Sequence, residues 1–347
     1  MDNLFGLDLA ALRERLAPLG LPAYRGRQIA EWMYQRGAVS FDEMTVLPKS
    51  LRASLSEAFS IERARCLQRW DSADARTSKF LLAFGDGVAV ETVLMRQPYG
   101  NSICVSTQAG CAMGCVFCAS TLHGVTRSLT AGEMLDETLF IDALLRAEGQ
   151  KVDTMVLMGS GEPMMNYDET LRFLRLLHEP YCLGMSYRSI ALSTSGVVPG
   201  ILRLAEEGLP VTLSISLHAP SDALRSELMP VNRKYGVRAV AEAGRLYAEK
   251  TGRRVTYEYI LIEKINDGER EAKELASLLR GQLANVNLIP INPVTGRDWH
   301  RPSPARVERF RDMLSRLGIP ATVRAEMGGD IRAACGQLRN RHIEGGG

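Results

Sequence analysis

The 347-residue chain has no excess of either charge: 42 Lys and Arg stand against 40 Asp and Glu, for a formal net charge of +2. That balance excludes a uniformly cationic nucleic-acid binder, although a local basic patch can still hide inside it. No apolar run approaches the roughly 18 residues that a membrane helix needs. Between Met1 and Gly20 there is no charged-then-apolar leader. The seven cysteines cannot all pair, which argues against a secreted, disulfide-framed protein. The expectation is a soluble cytoplasmic chain whose cysteines serve chemistry or core packing. Internal repeats of fixed period are absent, and the only low-complexity tract is Gly345 to Gly347. At roughly 100 to 200 residues per domain, the length suits one large domain with an appendage, or two domains.

The first part of the chain reads as helical. Leu9, Leu12 and Leu16 recur at helical spacing, Pro22 and Ala23 interrupt, the run resumes from Gln28 to Tyr34, and a third helix is expected over 48–59. From Gly87 onward the pattern changes to apolar, strand-like runs at 103–106, 154–158, 189–192, 211–216, 256–262, 286–289 and 321–323, most of them separated by helical stretches. Continuous apolar runs suit parallel strands covered on both faces. Thr130 and Glu133 form a capping-box pattern at the start of the first of these helices. Six or seven strand–helix units predict an α/β fold with a partial TIM-like barrel, an open doubly wound sheet being the alternative. The predicted division is 1–85 for a helical accessory domain that binds RNA, 86–325 for the barrel, and 326–347 for a C-terminal segment.

In such barrels the chemistry lies at the carboxyl ends of the strands. Here those ends are polar or glycine-rich: Gly159 to Pro163, Ser193 to Gly196, Ser216 to His218, and Pro290 to Pro293. Cys111, Cys115 and Cys118 stand three and then two residues apart, with Gly110 and Gly114 to relieve the backbone. One tight loop can then aim three thiolates at a common centre. A structural zinc wants four protein ligands, and only His123 is near enough in sequence to be the fourth. A 4Fe-4S cluster on three cysteines leaves one iron open to a cofactor. Three thiols of no special function are the third possibility.

This spacing, with Phe117 before the last cysteine, resembles the signature of the radical S-adenosylmethionine (SAM) superfamily, and Gly161-Glu162-Pro163 resembles the stretch that holds the SAM amino group. Glu91-Thr92-Val93, Cys104 to Gln108, Ser216 to Ala219, Asn292-Pro293 and Gly329 to Leu338 together resemble the RlmN family over nearly the whole chain. The resemblance implies methylation of adenine C2 in 23S ribosomal RNA (adenine-2503, in the peptidyl transferase centre) and in a subset of transfer RNAs (adenine-37). It implies one 4Fe-4S cluster on Cys111, Cys115 and Cys118. SAM would be held by Gly161, Glu162, Ser193, Ser216, Leu217, His218 and Asn292, with two SAM used per turnover. Cys335 would carry the methyl group as S-methylcysteine, Glu91 would take the C2 proton, and Cys104 would resolve the protein–RNA adduct, leaving a Cys104–Cys335 disulfide to be reduced. An electron donor such as flavodoxin or ferredoxin and a monomeric, membrane-free protein complete the expectation. Cys66 and Cys182 match nothing.

Adenine C2 is an electron-poor carbon that does not attack the methyl of SAM directly, so a radical route is chemically required. The related Cfr family, which methylates C8 of the same adenine, is the alternative. More remote are radical SAM chemistry on a small molecule or peptide, and a zinc- or cluster-stabilised RNA-binding module without catalysis. For RNA contacts, residues 296–347 carry ten Arg against six acids, Arg332, Arg339 and Arg341 lying nearest Cys335. A second basic group, Arg63, Arg65, Arg69, Arg76 and Lys79, flanks Trp70.

Overall fold

The computed structural model describes residues 1–292, 298–325 and 327–333. At the N-terminus β1 (Asp2–Asn3) precedes α1 (Leu9–Leu16), α2 (Tyr24–Tyr34) and α3 (Lys49–Ala58), and pairs in parallel with β2 (Phe59–Ser60). Asp8 caps α1 by accepting the amide of Ala11 at 2.8 Å. Helix α2 buries Ile29, Ala30, Met33 and Tyr34. The Tyr34 hydroxyl accepts from Gly6 N and donates to Leu7 O within the module, and the Tyr181 hydroxyl accepts from Leu9 N, which ties the module to the body of the protein.

The helices end at Ala58, well short of residue 85. The chain then makes three antiparallel strands, β3 (Arg65–Asp71), β4 (Thr77–Ala83) and β5 (Ala89–Gln97), and β6 (Gly100–Cys104) pairs with the last of them. The sequence pattern does not announce these strands, because β4 is buried along its whole length yet carries Ser78 and Lys79. A short ribbon of β7 (Gln108–Gly110) and β8 (Val125–Ser128) follows. Next come α4 (Ala131–Ala147), β9 (Thr154–Leu157), α5 (Tyr167–His178), β10 (Ile190–Thr194), α6 (Val198–Glu206), β11 (Thr212–Ser216), α7 (Asp222–Leu228) and α8 (Val237–Thr251). The chain continues through β12 (Val255–Leu261), α9 (Glu269–Leu279), β13 (Ala284–Pro290), α10 (Pro304–Arg316) and β14 (Ala321–Val323).

One ten-stranded sheet results, in the order β14-β13-β12-β11-β10-β9-β6-β5-β4-β3. The seven strands from β14 to β6 are parallel, and the seven predicted runs fall on them within a few residues. All seven contribute side chains to a single lumen, so the parallel part is curved into a partial barrel rather than laid open. The predicted capping box at α4 forms: Thr130 Oγ1 accepts from Glu133 N, and Glu133 Oε2 accepts from Thr130 N.

Candidate active site at the carboxyl ends of the strands

The cysteine loop fills the gap between the two strands of the β7–β8 ribbon. Cys111 N donates to Gly124 O at 2.9 Å. Gly110, with φ of +78°, has no room for a side chain, since a Cβ there would fall 2.0 Å from that same carbonyl. The Thr121 hydroxyl donates to the carbonyls of Cys115 and Cys118, at 3.1 and 2.9 Å, and closes the turn around them. All three cysteines line one cavity, about 1040 Å³ including its open mouth. Burial pushes the Cys111 thiol up to about 11 and the Cys115 thiol well above its ordinary value. A metal group bound here must therefore displace the thiol protons.

The rest of that cavity comes from the strand ends. Behind β9, Gly161 has φ of +108°, and a Cβ would meet Gln108 N at 2.7 Å, so only glycine lets this loop pass against β7. Glu162 is buried. Its Oε1 accepts from Met164 N at 3.0 Å and its Oε2 from Ser195 N at 2.6 Å, which splices the β9 loop to the β10 loop. Burial raises its carboxyl, and the two amide donors pull against that rise. Ser193, Ser216, His218 and Asn292 join the lining. His218 holds a positive φ of 61°, and its Nδ1 accepts from Ile260 N at 3.0 Å. Its proton therefore sits on Nε2, and burial drives the ring's pKa down to about 3, so it acts as a neutral group.

A second space, about 1600 Å³ including its open mouth, continues into the barrel lumen. Met158, Glu258, Ile289, Asn292 and Arg324 line both spaces, so the two abut. Cys104 lines the lumen, buried against Val93 and packed with Ala333. Glu91 lies two residues before Val93 on β5, and its carboxylate pairs with Lys79 at 2.9 Å, both side chains being 3% exposed. Lys79 also lies over the Trp70 ring and donates to Arg332 O at 3.4 Å.

Several sequence expectations are placed differently. Leu217 is buried and does not line the cavity; only its backbone is engaged, its amide donating to Glu258 O. His123 is exposed and outside the lining, which removes the fourth ligand of the zinc alternative. Of the basic group around Trp70, Arg63 pairs with Asp136, Arg69 with Asp71, Arg76 with Asp74 and Lys79 with Glu91, so four of the five cations already have acidic partners. Cys335, Arg339 and Arg341 lie outside the described residues. Two charged lining residues were not among the expected site residues: Arg324, directly after β14, and Glu258, an acid inside an otherwise apolar strand. Both signals were readable, since each charge sits where a barrel lumen or rim is expected.

Residues 105–276 match the radical SAM superfamily model, and residues 2–61 match the ribosomal RNA large subunit methyltransferase N-terminal domain. A protein of Symbiobacterium thermophilum named probable dual-specificity RNA methyltransferase RlmN is 53% identical over 337 residues, 97% of this chain and 91% of that one. One of the same name from Clostridium perfringens is 46% identical over 347 residues, covering 100% and 99%. The chain belongs to the RlmN family. A crystal structure of a radical SAM methyltransferase from Sphaerobacter thermophilus superposes with a TM-score of 0.94 at 48% identity, covering 98% of this chain and all of that one.

As a member of the RlmN family the protein is a SAM-dependent methyltransferase of the radical SAM type, and the family implies a 4Fe-4S cluster. The donor set fits that group. Three soft thiols share the wall of one cavity, and among the described residues no three ligands close on a single ion. No helix among the described residues is long and apolar enough to cross a membrane.

Proposed function

We propose that the protein methylates C2 of adenine in 23S ribosomal RNA (adenine-2503) and in a subset of transfer RNAs (adenine-37), with the methyl group carried on Cys335 and two SAM consumed per turnover. The observation that carries this reading is the adjacency of the two cavities, which share five lining residues. The cysteine-lined space lies beside the lumen where Cys104 packs against Ala333, two residues before Cys335 in the chain. The relatives' shared name, dual-specificity RNA methyltransferase, supports the substrate class.

When bound, the cluster and SAM supply an electron and a 5'-deoxyadenosyl radical, which overcomes the inertness of adenine C2. Cys111, Cys115 and Cys118 would hold the cluster, three thiolates being the donors it takes. Gly161, Glu162, Ser193, Ser216, His218 and Asn292 would orient SAM, with Leu217 holding the strand end behind them through Glu258 and Arg225. The Cys335 sulfur takes its methyl from a first SAM by polar substitution, the thioether of that SAM leaving. Once that methyl carbon has lost one hydrogen atom to the 5'-deoxyadenosyl radical and joined C2, the adduct gives up one electron and Glu91 takes the C2 proton; the Cys104 thiolate then attacks the sulfur of Cys335, the carbon–sulfur bond breaks, and the methylene left on C2 picks up a proton to become the methyl group. The Cys104–Cys335 disulfide that remains needs an external dithiol, which fits a cytoplasmic setting. A donor such as flavodoxin or ferredoxin returns the cluster to its reduced state.

The target adenine must leave its stack to reach this lumen. Tyr99, 72% exposed on the turn between β5 and β6 and part of the lumen's lining, is placed to receive a base. The decisive experiment digests RNA after reaction with wild-type protein and with Cys335→Ala. Methyl at C2 with the wild type and none with the variant is expected. Methyl at C8 would reassign the chain to Cfr-like chemistry, and methylation that survives in the variant would remove Cys335 from the reaction.

A further inference from the structure

Arg225, on α7, is the largest fully buried side chain among the described residues. A guanidinium has five N–H donors, and here each finds an acceptor. Nε donates to Leu217 O at 3.0 Å. Nη1 donates to Asn232 Oδ1 at 3.0 Å and to Tyr235 O at 3.2 Å, and Nη2 to Ser195 O at 2.6 Å and Ser216 O at 3.0 Å. Three of these carbonyls belong to the β10 and β11 ends that wall the SAM cavity. The fork therefore fixes the spacing between two strand-end loops, with hydrogen bonds that a lysine cannot reproduce.

All five acceptors are neutral, so the hydrogen bonds satisfy Arg225 without cancelling its charge. Asp222 is linked to it only through Asn232, whose Nδ2 donates to Asp222 Oδ1 at 3.1 Å, while the same carboxylate also caps Val237 N. A buried cation without an adjacent anion is costly. On its other side lies the cysteine loop. Val116 N donates to Leu228 O at 3.1 Å, Pro230 packs on Gly114, and Cys115 shares an apolar cluster with Leu228 and Met229. Among the described residues the acid that faces Arg225 is thus Asp222, at second hand, while the cysteine loop packs on its other side.

We propose that Arg225 is a positioning residue whose countercharge is the iron–sulfur cluster itself. Its fork sets the SAM-binding strand ends, and its charge raises the reduction potential of the cluster. The proposal rests on the assignment of a cluster to Cys111, Cys115 and Cys118. A 4Fe-4S core on three thiolates is negative overall and gains another negative charge on reduction, so a fixed cation favours the reduced form. The same residue thereby couples the place where SAM sits to the ease with which the electron arrives.

The test uses the full chain with its cluster, in wild-type, Arg225→Lys and Arg225→Gln forms, and starts with iron and sulfide content. A wild-type chain without a four-iron cluster would overturn the assignment of the cluster, independently of Arg225. With the cluster present, Arg225→Gln should lower the ratio of reduced to oxidised cluster at a fixed poise about tenfold, because one fixed positive charge near the cluster is removed. Arg225→Lys should keep that ratio near wild type while weakening SAM binding about tenfold, because charge is kept and the fork is lost. An unchanged ratio in Arg225→Gln, or equal changes in both variants, overturns the proposal. Should Arg225→Gln fail to fold, Asp222→Asn decides. It should lower the Tm of the cluster-free chain more than that of the loaded chain; equal losses would make Asp222 the countercharge and sink the idea.

Discussion

The two halves of the sheet deliver chemistry in different ways. In the parallel half, β9, β10, β11 and β13 end in loops, and the cavity wall is built from backbone turns around Gly161, Ser195, Leu217 and Asn292. In the antiparallel half the reactive groups stand on strand faces: Glu91 on β5, with Lys79 on β4 and Cys104 on β6 both in register with Val93, two residues along β5. Loops at strand ends can wrap a cofactor and use main-chain donors and acceptors, whereas pleated faces hold side chains at fixed separations. The division suggests that binding of SAM and handling of the methyl group are separable by mutation.

The largest effect that would test this separation is Gly161→Ala. The new Cβ has no space against Gln108 and must adopt a φ that alanine disfavours, at about 1 to 3 kcal/mol. SAM affinity should fall by about a hundredfold or more, as expected when a loop that contacts the ligand is displaced. Iron content should stay at the wild-type level, and calorimetric titration with SAM checks it. Retained affinity would show that the β9 loop does not form the cofactor wall. On the other half, Lys79→Met leaves the buried Glu91 without its ammonium partner. Removing one member of a buried pair costs about 3 to 5 kcal/mol. The double variant Lys79→Met/Glu91→Gln should recover much of the lost Tm without recovering RNA methylation. SAM binding should be untouched in both; if it falls in parallel with methylation, the two halves are not independent.

What could be read from sequence follows the same line. The cysteine spacing, the Gly161-Glu162-Pro163 turn and the polar residues at Ser193, Ser216 and Asn292 are local features, each legible because a strand or loop places near neighbours together. The antiparallel strands were not legible, since Lys79 and Glu91 neutralise each other inside β4 and β5 and break the apolar pattern that marks a buried strand. Arg225 reads as an ordinary charge on a short amphipathic helix; its acceptor Ser195 lies 30 residues away. Lys79 meets Arg332 across 253 residues. Partners at such separations are set by the closure of the barrel, which no window of sequence contains.

Glu137 sits at the seam between the halves and gives the smallest expected effect. From α4 it accepts the Thr92 hydroxyl of β5 and, at 3.0 Å, the amide of Ser106 just beyond β6. The Ser106 hydroxyl in turn donates to Glu91 O and accepts from Ser160 N, so one buried carboxyl supports the backs of both sites. Burial holds its pKa well above the usual carboxylate range. The folded chain therefore keeps this proton to higher pH than the unfolded chain. As pH rises from about 5, the unfolded state ionises first and the stability contributed by this group declines until the folded carboxyl also ionises. Glu137→Gln keeps an acceptor oxygen for both donors and removes the titration. Its Tm should be less sensitive to pH between about 5 and 8 than that of the wild type, and no lower at the upper end. Parallel melting curves for the two proteins would mean that Glu137 is ionised in the fold, with a countercharge supplied at the seam.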